Sequence, residues 1–244
     1  MQTRIKTVGV VGAGAMGRGI AQIATQAGCQ VRLFDMQPAA VAAARDHVLS
    51  QWDKLQEKGK LDAATVAGCR ERLQGVDSLE ALTGCDLVIE AIVERLDAKR
   101  QLFAALEGIL GPDAILASNT SSLSVTAIGA GVQRPQRLAG LHFFNPVPLM
   151  KVVEVIPGLR TDAAVCEDLA ALVRAMGHTP VRAQDTPGFI VNHAGRAYNT
   201  EALRIVSEGI ADFATVDRIL RDQVGFRLGP FELLDLTALD VSHP

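Results

Sequence analysis

His142 and Glu154 lie in the stretch HFFNPVPLMKVVE, an imidazole and a carboxylate separated by a short proline-bearing segment. An imidazole titrates near neutral pH. A carboxylate held against one ring nitrogen fixes the tautomer and leaves the other nitrogen to take or release a proton. Residues 145–148 read Asn-Pro-Val-Pro, a rigid turn able to fold Glu154 back toward His142. Far upstream stands Gly12-Ala13-Gly14-Ala15-Met16-Gly17, a turn of the kind that cradles a diphosphate. Together the two features predict proton transfer coupled to hydride transfer.

The glycine turn has the flanks it needs. Residues 5–11 form a β-branched run that reads as a buried strand, and a helical pattern follows to about residue 27, where Gly28 stops it. Residues 30–34 make a second strand closing on Asp35, so the segment is one βαβ unit. Gly12 permits the tight turn, Gly14 lets a pyrophosphate approach the backbone, and Gly17 lets helix and strand pack closely. These glycines, with Met16, are read as cofactor-binding positions at the positive end of a helix. Asp35 lies 35 − 17 = 18 residues beyond the last glycine, where a carboxylate holds a ribose 2′-hydroxyl and repels a 2′-phosphate. Met36 and Gln37 offer no arginine to receive such a phosphate. The expected cofactor is therefore NAD.

Alternation of strand and helix continues downstream. Helices are expected from Pro38 past Lys54, over 63–73, 96–110 and 165–176, and strands over 87–92, 114–117, 138–144, 151–156 and 180–183. Residues 118–122 read as a polar loop at a strand end. After Asp185-Thr186-Pro187-Gly188 only helical patterns remain, with an apolar stripe through Ile190, Ala194, Ala197, Tyr198, Leu203 and Val206 and a further helix over 216–224. The fold class is thus α/β, a Rossmann-type doubly wound and mostly parallel sheet over residues 1–185, followed by a smaller all-α domain over 186–244. A helical domain of that size struggles to bury a core alone, so it is expected to be partial or to pack on a partner. In such a sheet ligands gather at the C-terminal ends of strands. Glu94, Asn119, Ser121, His142 and Asn145 fall at such ends, and Asn192 follows the boundary.

Composition narrows the class. With 48% hydrophobic residues, 21% charged residues and a net charge of −3, the 244-residue chain has no broad basic surface for nucleic acid. Cys29, Cys69, Cys85 and Cys166 show no metal-ligand spacing and read as reduced thiols of a cytoplasmic protein. No apolar run has the length of a membrane span, and no metal is expected.

The segments VGAGAMGRGIAQ, LVIEAIVERLDAK, ASNTSSLSVTAI, AGLHFFNPVPLMKVVEV, DTPGFIVN and GPFELLDLTALD resemble those of the L-3-hydroxyacyl-CoA dehydrogenases, and they extend across nearly the whole chain. The resemblance implies that His142 removes the proton of a substrate 3-hydroxyl while hydride leaves C3, and returns it in the reverse direction. It implies that Glu154 orients that imidazole and that Ser121 and Asn192 hydrogen-bond the substrate. It places Glu94, Lys99, Asn119 and Asn145 on the cofactor side. It also implies an acyl-CoA thioester substrate, a role in fatty-acid metabolism, and a homodimer formed through the helical domain.

The CoA phosphates call for cations, and Lys54, Lys58 and Lys60 are the candidates, read as lying on one helix; Lys58 matches a CoA-contacting position in the family. Gln51 stands where relatives often carry serine, and His193 where most carry arginine. Family members continue well past the point where this chain stops, so the helical domain is expected to be truncated. A dehydrogenase of a free hydroxy acid or sugar acid on the same scaffold, and a non-catalytic NAD-binding relative, stay open as alternatives.

Overall fold

The structure is a computed structural model, and it describes residues 3–237. The chain divides into two compact units, one up to Phe189 and one from Ile190.

The first unit is built on one eight-stranded sheet. Its strands are β1 (Thr7–Val11), β2 (Gln30–Phe34), β3 (Leu73–Gly75), β4 (Leu87–Glu90), β5 (Ile115–Ser118), β6 (Leu138–His142), β7 (Val152–Pro157) and β8 (Thr179–Arg182), in spatial order 3-2-1-4-5-6-7-8. The first six run parallel; β7 is antiparallel to β6, and β8 is parallel to β7. The strand order thus reverses at β1, with β2 added on one side and β4 on the other. That is the switch point at which a doubly wound sheet leaves a crevice for ligand.

Helices α1 (Ala15–Gln26), α2 (Pro38–Glu57), α3 (Ala63–Arg72), α4 (Leu96–Ile109), α5 (Val125–Gly129) and α6 (Ala163–Ala175) complete this unit. Successive strand residues point to opposite faces, and β4 shows the result: Leu87 and Ile89 join the core beneath α1, α2 and α6, whereas Val88 joins the core with Phe103 and Leu106 of α4. Both faces are covered, which is why the strands read as continuous apolar runs.

Three expectations are corrected. The helix expected to reach residue 73 ends at Arg72, because Leu73 turns into the short strand β3 beside β2. Ser118, expected in a polar loop, is the buried last residue of β5. Helix α2 ends at Glu57 with Lys58 as its C-cap, so Lys60 lies beyond the helix.

Among the described residues the second unit contains α7 (Val191–Ser207), α8 (Phe213–Asp222) and α9 (Pro230–Thr237). Asp217 of α8 is buried, and its carboxylate accepts the Phe231 and Glu232 N–H groups at 2.9 and 3.1 Å, capping α9 from another helix. Tyr198 of α7 donates its hydroxyl to the Leu228 carbonyl at 2.7 Å.

Candidate active site

The glycine turn links the end of β1 to α1. Gly12 has φ +103°, and a Cβ there would stand 2.4 Å from the Ala91 carbonyl oxygen. A Cβ on Gly17 would stand 1.7 Å from the Gly12 oxygen, so this helix start packs on the turn itself. Gly14 is the opposite case, with no atom within 4 Å of where its Cβ would be. Met16 lies partly buried in the first turn of α1, which has neither a side-chain cap nor an acidic residue. Open space over Gly14 and an uncapped helix N-terminus fit a diphosphate.

Asp35 follows β2 at the edge of this turn. Its Oδ2 accepts the Ala13 N–H at 2.8 Å and its Oδ1 accepts the Gln37 N–H at 2.9 Å. The carboxylate is therefore positioned by the turn it serves. Met36 beside it is 91% exposed and brings no cation.

On the other side of the switch point, Glu94 organises the loop that follows β5. Its Oε1 accepts the Thr120 hydroxyl at 2.5 Å, the Ser121 N–H at 2.8 Å and the Ser122 N–H at 3.1 Å, with the Ser121 hydroxyl at 3.4 Å. Burial would raise its carboxyl, but the Thr120 hydroxyl, the Lys99 charge and the Ser121 N–H outweigh burial and hold it down at about 2.

Lys99 is 1% exposed on α4, with its ammonium 2.5 Å from Glu90 Oε1 and 3.1 Å from Glu94 Oε2. It is an internal cation, not one standing on the surface of a binding groove. Its main partner, Glu90, escaped the sequence reading because it sits inside an apolar strand run, nine residues before Lys99.

Asn119 ties β5 to β6. Its backbone N–H donates to the Glu90 carbonyl at 2.8 Å and its Oδ1 accepts the Phe143 N–H at 2.9 Å. Phe143 follows His142, the last residue of β6. Glu154 of β7 is the cross-strand partner of His142 in the antiparallel register. Both are buried, and His142 Nδ1 lies 2.7 Å from Glu154 Oε2. The turn between the strands includes a cis Asn145–Pro146 bond, and Asn145 is exposed.

Two aromatic rings flank the imidazole. Phe144 packs at a centroid distance of 4.4 Å and Phe189 meets it edge-on at 5.8 Å. Phe189 adopts φ +48°, after Gly188 at +77°. A left-handed phenylalanine costs on the order of 1–2 kcal/mol, and here that conformation turns a buried ring toward His142.

Lys54 and Lys58 are exposed at the end of α2. His47, earlier on the same helix, is held below the ordinary imidazole value by burial and then by the Arg18 and Lys54 charges. Asn192 falls in the first turn of α7, in the second unit. Among the described residues no group of histidine, cysteine and carboxylate side chains could hold a metal ion. Among the same residues, no helix is long and apolar enough to cross a membrane.

A 3-2-1-4-5-6 parallel half-sheet, a glycine turn at its switch point and a carboxylate after β2 define a dinucleotide-binding α/β protein. Comparison with known proteins carries this further. The family model "3-hydroxyacyl-CoA dehydrogenase, NAD binding domain" matches residues 7–186, and "3-hydroxyacyl-CoA dehydrogenase, C-terminal domain" matches residues 188–244. The chain belongs to the 3-hydroxyacyl-CoA dehydrogenase family, and its cofactor is NAD.

It is 46% identical over 242 residues to the 3-hydroxyadipyl-CoA dehydrogenase of Escherichia coli K12, covering 99% of this chain and 51% of that protein. It is 42% identical over 236 residues to a probable 3-hydroxybutyryl-CoA dehydrogenase of Bacillus subtilis, covering 97% and 82%. The crystal structure of an (S)-3-hydroxybutyryl-CoA dehydrogenase from Ralstonia eutropha superposes with a TM-score of 0.94 at 39% identity, covering 97% of this chain and 83% of that one. The chain thus spans about half the length of the E. coli relative and about four fifths of the other two.

Proposed function

We propose that this protein interconverts an L-3-hydroxyacyl-CoA and the 3-oxoacyl-CoA, with His142 as the proton-transferring base and Glu154 as its orienting partner. The observation that supports this most is the buried 2.7 Å contact between His142 Nδ1 and Glu154 Oε2 at the C-terminal end of β6. With Nδ1 engaged, Nε2 is the atom that takes the proton of the 3-hydroxyl. The carboxylate stabilises the imidazolium that results. Bound NAD supplies the acceptor for the hydride that leaves C3.

In this reading Ser121 and Asn192 hold the substrate oxygens. Glu94 and Asn119 set the loop and strand end around them, and Asn145 borders the cofactor. Phe144 and Phe189 keep water from the imidazole. Gly12, Gly14, Met16 and Gly17 receive the diphosphate, Asp35 the ribose, and the Lys54 and Lys58 ammonium groups the CoA phosphates.

The protein acts as a homodimer through its helical unit, a proposal supported by exposed apolar side chains such as Ile210 at 68% and Phe213 at 55%. A reducing, cytoplasmic setting agrees with four buried thiols, none of them in a disulfide.

The test is turnover. NADH should be oxidised by acetoacetyl-CoA, and a series of 3-oxoacyl-CoA esters from short-chain to dicarboxylic should rank the acyl tail. A higher kcat/KM for free hydroxy acids than for their CoA thioesters would overturn the substrate class. Tight NAD binding without turnover of any thioester would leave a non-catalytic NAD-binding protein.

A further inference from the structure

Glu90 ends the central strand β4 with a side chain that is 0% exposed, between Ile89 and Ala91. A buried carboxylate is tolerated only when its lone pairs are taken. Here Oε1 accepts the Ile92 N–H at 2.8 Å and the Lys99 ammonium at 2.5 Å, and Oε2 accepts the Ser118 hydroxyl at 2.6 Å.

The Lys99 and Ser118 contacts lead toward the site. Lys99 continues to Glu94, whose other oxygen gathers Thr120, Ser121 and Ser122. The Ser118 hydroxyl accepts the Thr120 N–H at 3.3 Å, reaching the same loop from beneath. The Glu90 carbonyl accepts the Asn119 N–H, and Asn119 holds Phe143 next to His142.

We propose that Glu90 is a positioning residue that fixes the Ser121 loop through Lys99, Glu94 and Ser118; this rests on the dehydrogenase reading above. A buried ion pair is a poor way to gain stability, since apolar side chains of similar volume pack α4 on β4 as well or better. What the charges add is placement. Glu94 lies on the irregular segment between β4 and α4. Its carboxylate is anchored to the sheet because Lys99 is itself anchored by a carboxylate on a central strand. A loop displaced by about 1 Å can cost on the order of 100-fold in rate.

The experiment is a double-mutant cycle in the full chain, using kcat and KM for acetoacetyl-CoA. Glu90→Gln should lower kcat/KM about 10-fold in the native background and less than about 2-fold once Ser121→Ala has removed the hydroxyl that the loop presents. Glu90→Gln can strand the Lys99 charge and impair folding, so Glu90→Gln/Lys99→Met, which removes both buried charges, is measured beside it. This pair should retain its fold and show the same non-additivity. In the same pair the Ser121 and Ser122 amides should exchange at least about 10-fold faster while Val31 and Leu33 of β2 are unchanged.

Equal losses in both Ser121 backgrounds, or native kinetics and native amide exchange in the charge-free pair, would overturn the proposal. Failure of the native chain to turn over any hydroxyacyl-CoA would defeat the dehydrogenase reading instead, and amide exchange would then decide the role of Glu90 alone.

Discussion

Glu154 faces His142 across the antiparallel β6–β7 ladder, so the carboxylate that contacts the imidazole is delivered by strand register and not by a loop. His142→Ala should lower kcat by on the order of 10² to 10⁴-fold while the Kd for NAD changes less than about 3-fold. Glu154→Gln keeps the shape but not the charge, and should lower kcat at least about 10-fold with KM little changed. Steady-state kinetics with acetoacetyl-CoA and NADH, beside NADH fluorescence titration, check both. Near-native kcat in His142→Ala would remove His142 as the base.

Gly14 and Gly17 should respond oppositely to the same small substitution. Gly17→Ala drives a Cβ into the Gly12 carbonyl and should destabilise the first unit by about 3 kcal/mol or more. Gly14 sits at φ −67°, which any residue adopts, and its Cβ would meet open space. Gly14→Val should therefore melt within a few degrees of the native protein yet bind NAD at least about 10-fold more weakly. Calorimetry and NADH titration separate the two effects, and a strong Gly14→Val complex would place the diphosphate elsewhere.

Acid should loosen the Ser121 loop through Glu94. The folded carboxyl is held at about 2, below its ordinary 4.5. A group lowered on folding contributes stability that is complete above the unfolded value and is lost as pH falls toward the folded one. The native protein should therefore lose its advantage over Glu94→Gln between about pH 4.5 and pH 2. Thermal melts of both proteins across this range check the sign; a gap that widens as pH falls would contradict it.

The Lys54 and Lys58 charges should matter for one substrate only. The double reversal to glutamate should raise the KM for acetoacetyl-CoA about 10-fold or more and the KM for NADH less than about 2-fold. Because both side chains are exposed, the effect should shrink at high ionic strength. An unchanged KM for the CoA ester would take these lysines out of the binding site.

Much of this site is readable along the chain because its chemistry is local. The glycine spacing, Asp35 after an apolar run and the proline turn between His142 and Glu154 each follow from residues within one supersecondary unit. What escapes is lateral. Glu90 looks like one letter in a strand, and only the neighbouring strand and helix bring Ser118 and Lys99 to it. Lys99, placed on the cofactor side by resemblance, gives no sign along the chain of its burial, which depends on the face α4 turns inward. The strand β3 is hidden by the helical pattern before it, since three residues beside β2 leave no periodic signal. Helix α5 is set at its start by Asp185, sixty residues from Val125, whose carboxylate accepts the Val125 and Thr126 N–H groups at 2.8 Å.

Asp35 bears on how such a protein changes its coenzyme. The carboxylate proposed to meet the ribose also accepts the Ala13 N–H of the glycine turn. Replacing it with a small neutral residue to admit a phosphorylated coenzyme would also slacken the turn that any dinucleotide must use. On that proposal coenzyme choice is coupled to loop integrity, and a single-step switch would pass through a form that binds neither coenzyme well. A redesign would have to supply the lost acceptor for Ala13 together with the new cation.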